Sequence, residues 1–251
     1  MKYSYYENVC TASYTMAFWS WPRWERELDW MALNGINLAL AFTGQESIWR
    51  QTFNSFGVDN TALEPFFSGP AFMAWQRMGN LRGWGGPLSS SFIEGQAALQ
   101  IRILNRSRSL GIASVLPAFS GHVPKALAAL YPTAAITRSA DWNGFPDPYG
   151  SVYYLQPGDP LFKKIGSAFL RYQQTAYGGS DGYYQTDQFN EMNPSSSDPE
   201  YLTAQSSAVW EYMAATDPAC KWILQGWLFV NNRPFWGDEQ VQIHLRVCHK
   251  H

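Results

Sequence analysis

The sequence predicts an α/β chain built on a parallel sheet, a (β/α)8 TIM-barrel-like fold left incomplete with about five to six βα units. Two observations carry this expectation. Short apolar, β-rich runs alternate with helical patterns along the chain, the arrangement that gives a parallel sheet covered by helices. The run Ile36–Phe42 is apolar at nearly every position, as a strand buried on both faces must be. A closed barrel needs eight strands. Long connections such as Gly57 to Ser90 use chain without adding any.

Taken in order, Asn8–Tyr14 is the first candidate strand. Ser20 and Pro22 open a helix with Trp24, Leu28 and Met31 on one face, and Asn34-Gly35 stops it because glycine tolerates the left-handed conformation after a helix. Ile36–Phe42 is the second strand. Thr43-Gly44-Gln45-Glu46 reads as a capping box for a helix that Gly57 closes. A helix from Ser91 to Leu110 follows, with Ser91 and Glu94 spaced as its cap, and Ile112–Ala118 is the third strand. Tyr153–Leu155 is a sixth, weaker strand candidate. Asp159-Pro160 and Asp198-Pro199 each start a helix, proline being favoured in a first turn where its missing N–H costs nothing. Between them lies the strand Tyr183–Phe189, ending at Asn190-Glu191. Lys221–Gln225 is the last strand, ending at Gly226-Trp227.

Composition narrows the function classes. The 251 residues and 28.5 kDa fit one large domain. A net charge of −2 with no basic block argues against a nucleic-acid partner. No apolar run approaches the ~20 residues of a membrane span. Charged residues make up 15% and aromatics 16%, which excludes disorder and suits a large core, a sugar-stacking surface or a piece whose covering partner is missing. Cys10, Cys220 and Cys248 are too widely spaced for a disulfide framework or a metal site, and no cofactor is expected. His244, Cys248, His249 and His251 resemble a metal tract but read as a solvated end, because no second ligand pair accompanies them. Met1–Tyr6 lacks the apolar stretch of a secretory peptide.

The chemistry-bearing residues lie at strand ends. Barrel enzymes place catalytic groups at the carboxyl end of the sheet, and Asn190-Glu191 sits there. Burial disfavours a carboxyl's charged form, and a carboxyl kept protonated near neutral pH is what general-acid catalysis requires. The bland alternative is the polar start of an exposed loop. Asn8 and Cys10 lie near the first strand, with Tyr14 at its end; Gln45 and Glu46 follow the second, His122 the third and Trp227 the last. A rim of polar and aromatic groups suits a sugar, whose ring pairs an apolar face with hydroxyls. Each also has a structural reading: Glu46 as a helix cap, His122 bonded to a backbone carbonyl, Cys10 as a small buried hydrophobe. Trp84 and Trp227 sit on glycine-rich loops, whereas Trp24, Trp30 and Trp49 have helical spacing and belong to the core. No GxSxG, GxGxxG, phosphate-loop or HExxH motif occurs.

Six runs then carry a resemblance: Tyr5–Thr11, Trp24–Asn37, Gly69–Phe72, Leu116–Pro124, Phe189–Met192 and Leu224–Phe229. In order and in register, they closely resemble the α-N-acetylglucosaminidases of glycoside hydrolase family 89. The likeness spans Tyr5 to about Trp236, so residues 1–236 read as family-like and 237–251 as a divergent tail of one partial barrel domain. The resemblance implies a retaining exo-hydrolase that removes terminal α-linked N-acetylglucosamine from glycoconjugates such as heparan sulfate. It is expected in the lysosome, the vacuole or outside the cell, without a cofactor. By motif, Glu191 is the general acid/base, and Asn8, Cys10, Tyr14, Trp84, His122, Asn190 and Trp227 line the sugar pocket.

Retaining enzymes need a second carboxyl about 5–5.5 Å from the first. In the family it lies on a later strand than any here, so it is expected to be missing from this chain, together with the rest of the barrel and the flanking domains. Asp187 and Glu46 are the other candidates. Asp187 shares a strand face with Glu191 at a separation of roughly 13 Å, too far for a direct partner, and Glu46 is committed as a cap. The isolated chain is therefore expected to turn over negligibly. The alternative from another class is a non-catalytic N-acetylglucosamine-binding module, which should bind the sugar as a soluble monomer. A fragment should expose strand edges and aggregate.

Overall fold

The computed structural model describes residues 2–249. In chain order, β1 (Tyr5–Tyr6) is followed by α1 (Thr11–Tyr14) and α2 (Trp21–Leu33), and β2 (Leu38–Leu40) by α3 (Gln45–Ser55), α4 (Asn60–Leu63), α5 (Met73–Arg77) and α6 (Ser90–Ser109). Next, β3 (Ala113–Pro117) leads through β4 (His122–Val123), α7 (Lys125–Leu130), β5 (Ile136–Arg138) and β6 (Tyr153–Leu155) to α8 (Pro160–Tyr177). Finally β7 (Tyr183–Gln185) precedes α9 (Pro199–Thr216), and β8 (Lys221–Ile223) precedes α10 (Trp227–Asn231) and α11 (Asp238–Leu245).

Five strands form one parallel sheet in the order β1-β2-β3-β7-β8. This is sequential βα winding, the path of a barrel that has run five of its eight strands. Registers such as Tyr5↔Leu38, Val115↔Tyr183 and Tyr184↔Trp222 keep the carboxyl ends on one side. Between β3 and α8 the chain adds a small antiparallel sheet, β4-β6-β5, above that rim. Tyr153–Leu155 is thus a strand, but of this added sheet and not of the barrel.

The core lies between the sheet and its helices and includes Leu116, Leu155, Phe162, Phe169, Tyr184 and Tyr212, all buried. Helices α8 and α9 approach closely because Gly166 faces the Tyr212 ring, whose carbons lie 2.7–2.8 Å from where a Cβ would stand. Asp159 and Asp198 cap α8 and α9 as expected, accepting N–H groups of Leu161 and of Glu200 and Tyr201.

Three local expectations are corrected. Asn8–Tyr14 is not a strand. The Asn8 side chain accepts the Cys10 N–H at 2.8 Å, and such an Asx-turn offers the backbone an alternative to the ladder, so pairing ends at Tyr6. The cap of α6 is Ser89, which accepts the Phe92 N–H, rather than Ser91 with Glu94. Gly44 opens α3 in the left-handed conformation without a side-chain cap. Glu46 instead forms a buried bidentate ion pair with Arg77 of α5, Nε–Oε1 at 2.8 Å and Nη2–Oε2 at 2.9 Å.

Strand ends inside a protein strand their carbonyls away from water, and these must be satisfied by other donors. Here the helix layer supplies them. Gln100 of α6 donates to the Ala41 carbonyl at 2.7 Å, Gln173 of α8 to Pro117 at 3.0 Å, Tyr177 of α8 to Gly44 at 2.8 Å, and Tyr212 of α9 to Phe119 at 2.7 Å. Removing one partner of a buried ion pair costs about 3–5 kcal/mol, and leaving one carbonyl unmet costs about 1–3 kcal/mol. Equilibrium urea unfolding should therefore rank Glu46→Gln as more destabilising than Gln173→Leu, with both below the parent chain.

Candidate active site

The segment leaving β7 defines the site. The strand stops at Gln185, so the expected shared face of Asp187, Phe189 and Glu191 does not exist. Each residue here is tied to a different element. Gln185 accepts the Tyr5 hydroxyl at 3.0 Å across the sheet interior. The Thr186 carbonyl accepts the Trp222 indole N–H at 2.8 Å, and Asp187 accepts the backbone N–H groups of Gln225 and Gly226. Gln188 donates to the Gln205 carbonyl of α9 at 2.9 Å and contacts the Tyr154 hydroxyl. Asn190, buried, donates to the Asn80 side chain at 3.0 Å.

Glu191 comes next, half-buried and accepting two indole N–H groups. Trp227 reaches Oε1 at 3.0 Å, and Trp142 reaches Oε2 at 2.8 Å. Trp142 sits on the connection between β5 and β6. That connection is anchored by Arg82, which donates to the Ser151 carbonyl at 3.0 Å, and by Arg138, which pairs with Asp147 and donates to the Ser151 hydroxyl at 2.6 Å. Its tip stacks Trp142 on Phe145 with ring centroids 5.3 Å apart. Beside Glu191 opens a cavity of about 500 Å³ whose lining includes Gly79, His122, Arg138, Asn190 and Tyr201.

The other expected pocket residues divide. Cys10 is half-buried near the carboxylate; burial, and then the Glu191 charge, push its thiol up. Asn8 spends its side chain on the turn that presents Cys10. His122 is buried against Tyr154, with Nδ1 2.7 Å from the Ser120 hydroxyl. Burial drives its pKa down to about 4, and the Gln188 carbonyl draws it partway back. It is a neutral, already bonded wall of the cavity. Trp84 does not touch Glu191: it packs edge-on to Phe145 and Tyr149, both at 5.1 Å, and joins the site through the Phe145–Trp142 stack. Tyr14 is 66% exposed and lies edge-on to Trp75.

Trp142, Gly79 and Asn80 escape sequence reasoning. Trp142 lies in an inserted hairpin rather than at a barrel strand end, and Gly79 and Asn80 follow a five-residue helix with no pattern of its own. The tail reading also changes. His244 is buried among Trp222, Phe229 and Trp236, not solvated. The side chains of Cys248 and His249, and all of His251, lie outside the described residues. Among the described residues no group of His, Cys, Asp and Glu is placed to hold a metal ion.

The family model described as the alpha-N-acetylglucosaminidase (NAGLU) tim-barrel domain matches residues 4–251. The chain belongs to this family. It is 49% identical to human alpha-N-acetylglucosaminidase over 241 residues, covering 96% of this chain and 32% of the human protein. A family 89 glycoside hydrolase from Clostridium perfringens, solved with 2-acetamido-1,2-dideoxynojirmycin, superposes with a TM-score of 0.83 at 31% identity, covering 94% of this chain and 27% of that one. A double Glu→Gln variant of a C. perfringens enzyme, in complex with its substrate GlcNAc-alpha-1,4-galactose, superposes at 0.86 with 30% identity, covering 97% and 27%. The chain thus spans about a third of the human relative and just over a quarter of the bacterial ones. The expected incomplete TIM barrel and the expected glycoside hydrolase family both hold.

Gly79 has φ +74° and a Cβ there would fall 2.0 Å from His122 Nε2, so Gly79→Ala should lower the thermal midpoint and disturb the His122 side-chain resonances. Glu7, buried at the end of β1, has its pKa raised to about 8 by burial and then by Glu27, against an ordinary value of 4.5. A raised carboxyl stabilises the fold below its unfolded value and loses that contribution as pH rises through its folded value. Calorimetry from pH 4.5 to pH 8 should show Glu7→Gln losing less stability than the parent. His122 acts oppositely, its contribution being lost as pH falls from 6.5 toward about 4.

Proposed function

We propose that this chain supplies the acid/base side of an α-N-acetylglucosaminidase, acting on terminal non-reducing α-linked N-acetylglucosamine by a retaining mechanism. The observation that carries the reading is the Glu191 carboxyl, held by two indole N–H groups at the mouth of a sugar-sized cavity. Glu191 protonates the departing glycosidic oxygen and afterwards takes a proton from the water that releases the sugar. Indole N–H groups orient the carboxyl without competing as acids or bases. His122 and Asn190 line that cavity. Cys10 stands near the carboxylate on a turn held by Asn8, and Trp84 and Tyr14 are assigned to the wider aromatic surround.

The attacking carboxylate comes from elsewhere in the longer protein. Glu46 is consumed by Arg77 and Asp187 by two backbone amides, so neither is free to attack the anomeric carbon. In this reading residues 1–236 are the family-like part of the barrel domain and 237–251 its divergent tail, and the remaining barrel strands and flanking domains complete the enzyme. The substrate class follows the bacterial relative's complex with GlcNAc-alpha-1,4-galactose, heparan sulfate being the physiological example. A lysosomal, vacuolar or secreted setting accompanies it. No described helix is long and apolar enough to cross a membrane.

The test is release of the aryl group from an aryl α-N-acetylglucosaminide. The 251-residue chain should show no turnover, and a longer protein carrying the remaining strands should be active. In that protein Glu191→Gln should cost about 10²–10⁴-fold, the usual contribution of a general acid/base. Glu191-independent turnover would overturn the assignment. Sugar binding by this chain, with no activity in any longer form, would favour the binding-module reading.

A further inference from the structure

Asp187 reaches Glu191 by a route that bypasses the intervening chain. Its Oδ2 accepts the Gln225 N–H at 3.0 Å and its Oδ1 the Gly226 N–H at 3.3 Å. Gly226 then turns the chain with φ +73° and starts α10 at Trp227, whose indole donates to Glu191 Oε1 at 3.0 Å. The Trp227 side chain is not fixed by burial, since the residue is 42% exposed. Its aim depends on the backbone that carries it, and that backbone is held by Asp187.

We propose that Asp187 is a positioning residue: by pinning the Gln225–Gly226 turn it aims the Trp227 indole at one oxygen of Glu191. Its catalytic meaning rests on the reading of Glu191 as the acid/base, whereas the geometry is testable by itself. Capping the end of β8 would need only the bond to Gln225. The second bond, to Gly226, extends the hold past the strand to the residue next to Trp227.

Burial pushes the Asp187 carboxyl up to about 6, with the Gln225, Gly226 and Gln185 hydrogen bonds pulling it partway back, which supplies a spectroscopic handle. The ionisable groups around it are Arg77, which shares its cleft and is committed to Glu46, and Tyr5, whose hydroxyl bonds Gln185. Glu191 lies beyond Trp227.

The experiment is a pH titration by NMR of the longer protein that carries the remaining strands, selectively isotope-labelled at tryptophan, glutamine and glycine, with indole signals assigned through Trp227→Phe and Trp142→Phe. In a Glu191→Gln background, where position 191 cannot titrate, the Gln225 and Gly226 amides and the Trp227 indole should share one midpoint. The Trp142 indole should not show it. Asp187→Asn should abolish that midpoint and move the Trp227 indole signal toward that of a free, solvated indole. A Trp227 indole that stays flat while the two amides titrate would overturn the proposal, and so would an unchanged Trp227 signal in Asp187→Asn. If Asp187→Asn fails to fold, the titration in the Glu191→Gln background decides alone. A Trp227 signal that follows Asp187, alongside full activity of the longer protein with Glu191→Gln, would sink the acid/base reading and leave this one standing.

Discussion

The strands of a parallel sheet finish inside the molecule, and whatever polar backbone they release there must be satisfied by protein rather than water. That requirement organises the upper rim of this fold. Gln100, Gln173, Tyr177 and Tyr212 reach inward from three different helices to the carbonyls that β2 and β3 and the segments after them leave behind. The buried Glu46–Arg77 pair ties α3 to α5 on the same side. The helices therefore do more than cover apolar residues. They end the strands in fixed places and set where the irregular chain beyond them begins.

The face that carries Glu191 inherits that rigidity. Sites on loops are usually less precise than sites on regular elements, and residues 186–192 have no regular structure. Precision is recovered because residues along the segment bond, through backbone or side chain, to β8, the β8–α10 turn, α9, the segment after α5 and the β5–β6 connection. A displacement of any one element is opposed by the others. The carboxyl of Glu191 is oriented this way by two indole N–H groups, one on each oxygen, that come from different parts of the fold.

Much of this arrangement is legible in the chain itself, and the reasons are local. Ile36–Phe42 and Ile112–Ala118 read as buried strands because each is apolar at all but one position, Asn37 and Ser114. Asp159-Pro160 and Asp198-Pro199 read as helix starts because cap and proline act within one turn. Asn190-Glu191 stands out because the predicted strand Tyr183–Phe189 stops just before it, and the carboxyl ends of such sheets are where chemistry sits, although the ladder itself stops earlier, at Gln185. The errors share a cause as well. Asn8 turns the chain with its own side chain and ends β1 early, a competition that hydrophobic pattern does not register. Glu46 has the spacing of a cap, yet its partner is Arg77, thirty-one residues on, and no periodicity reveals a contact of that kind. His244 looks like a charged tail residue until Trp222, Phe229 and Trp236 close over it. Trp142 belongs to a piece of sheet inserted into the third βα unit, where barrel rules say nothing.

That insertion also divides the hold on Glu191 between two layers. One of the two donors rides on the β5–β6 connection, outside the parallel sheet, while the other starts α10 on the barrel itself. Leu155 roots the added sheet in the same core that packs the barrel helices, so the carboxyl is clamped between two separately braced walls.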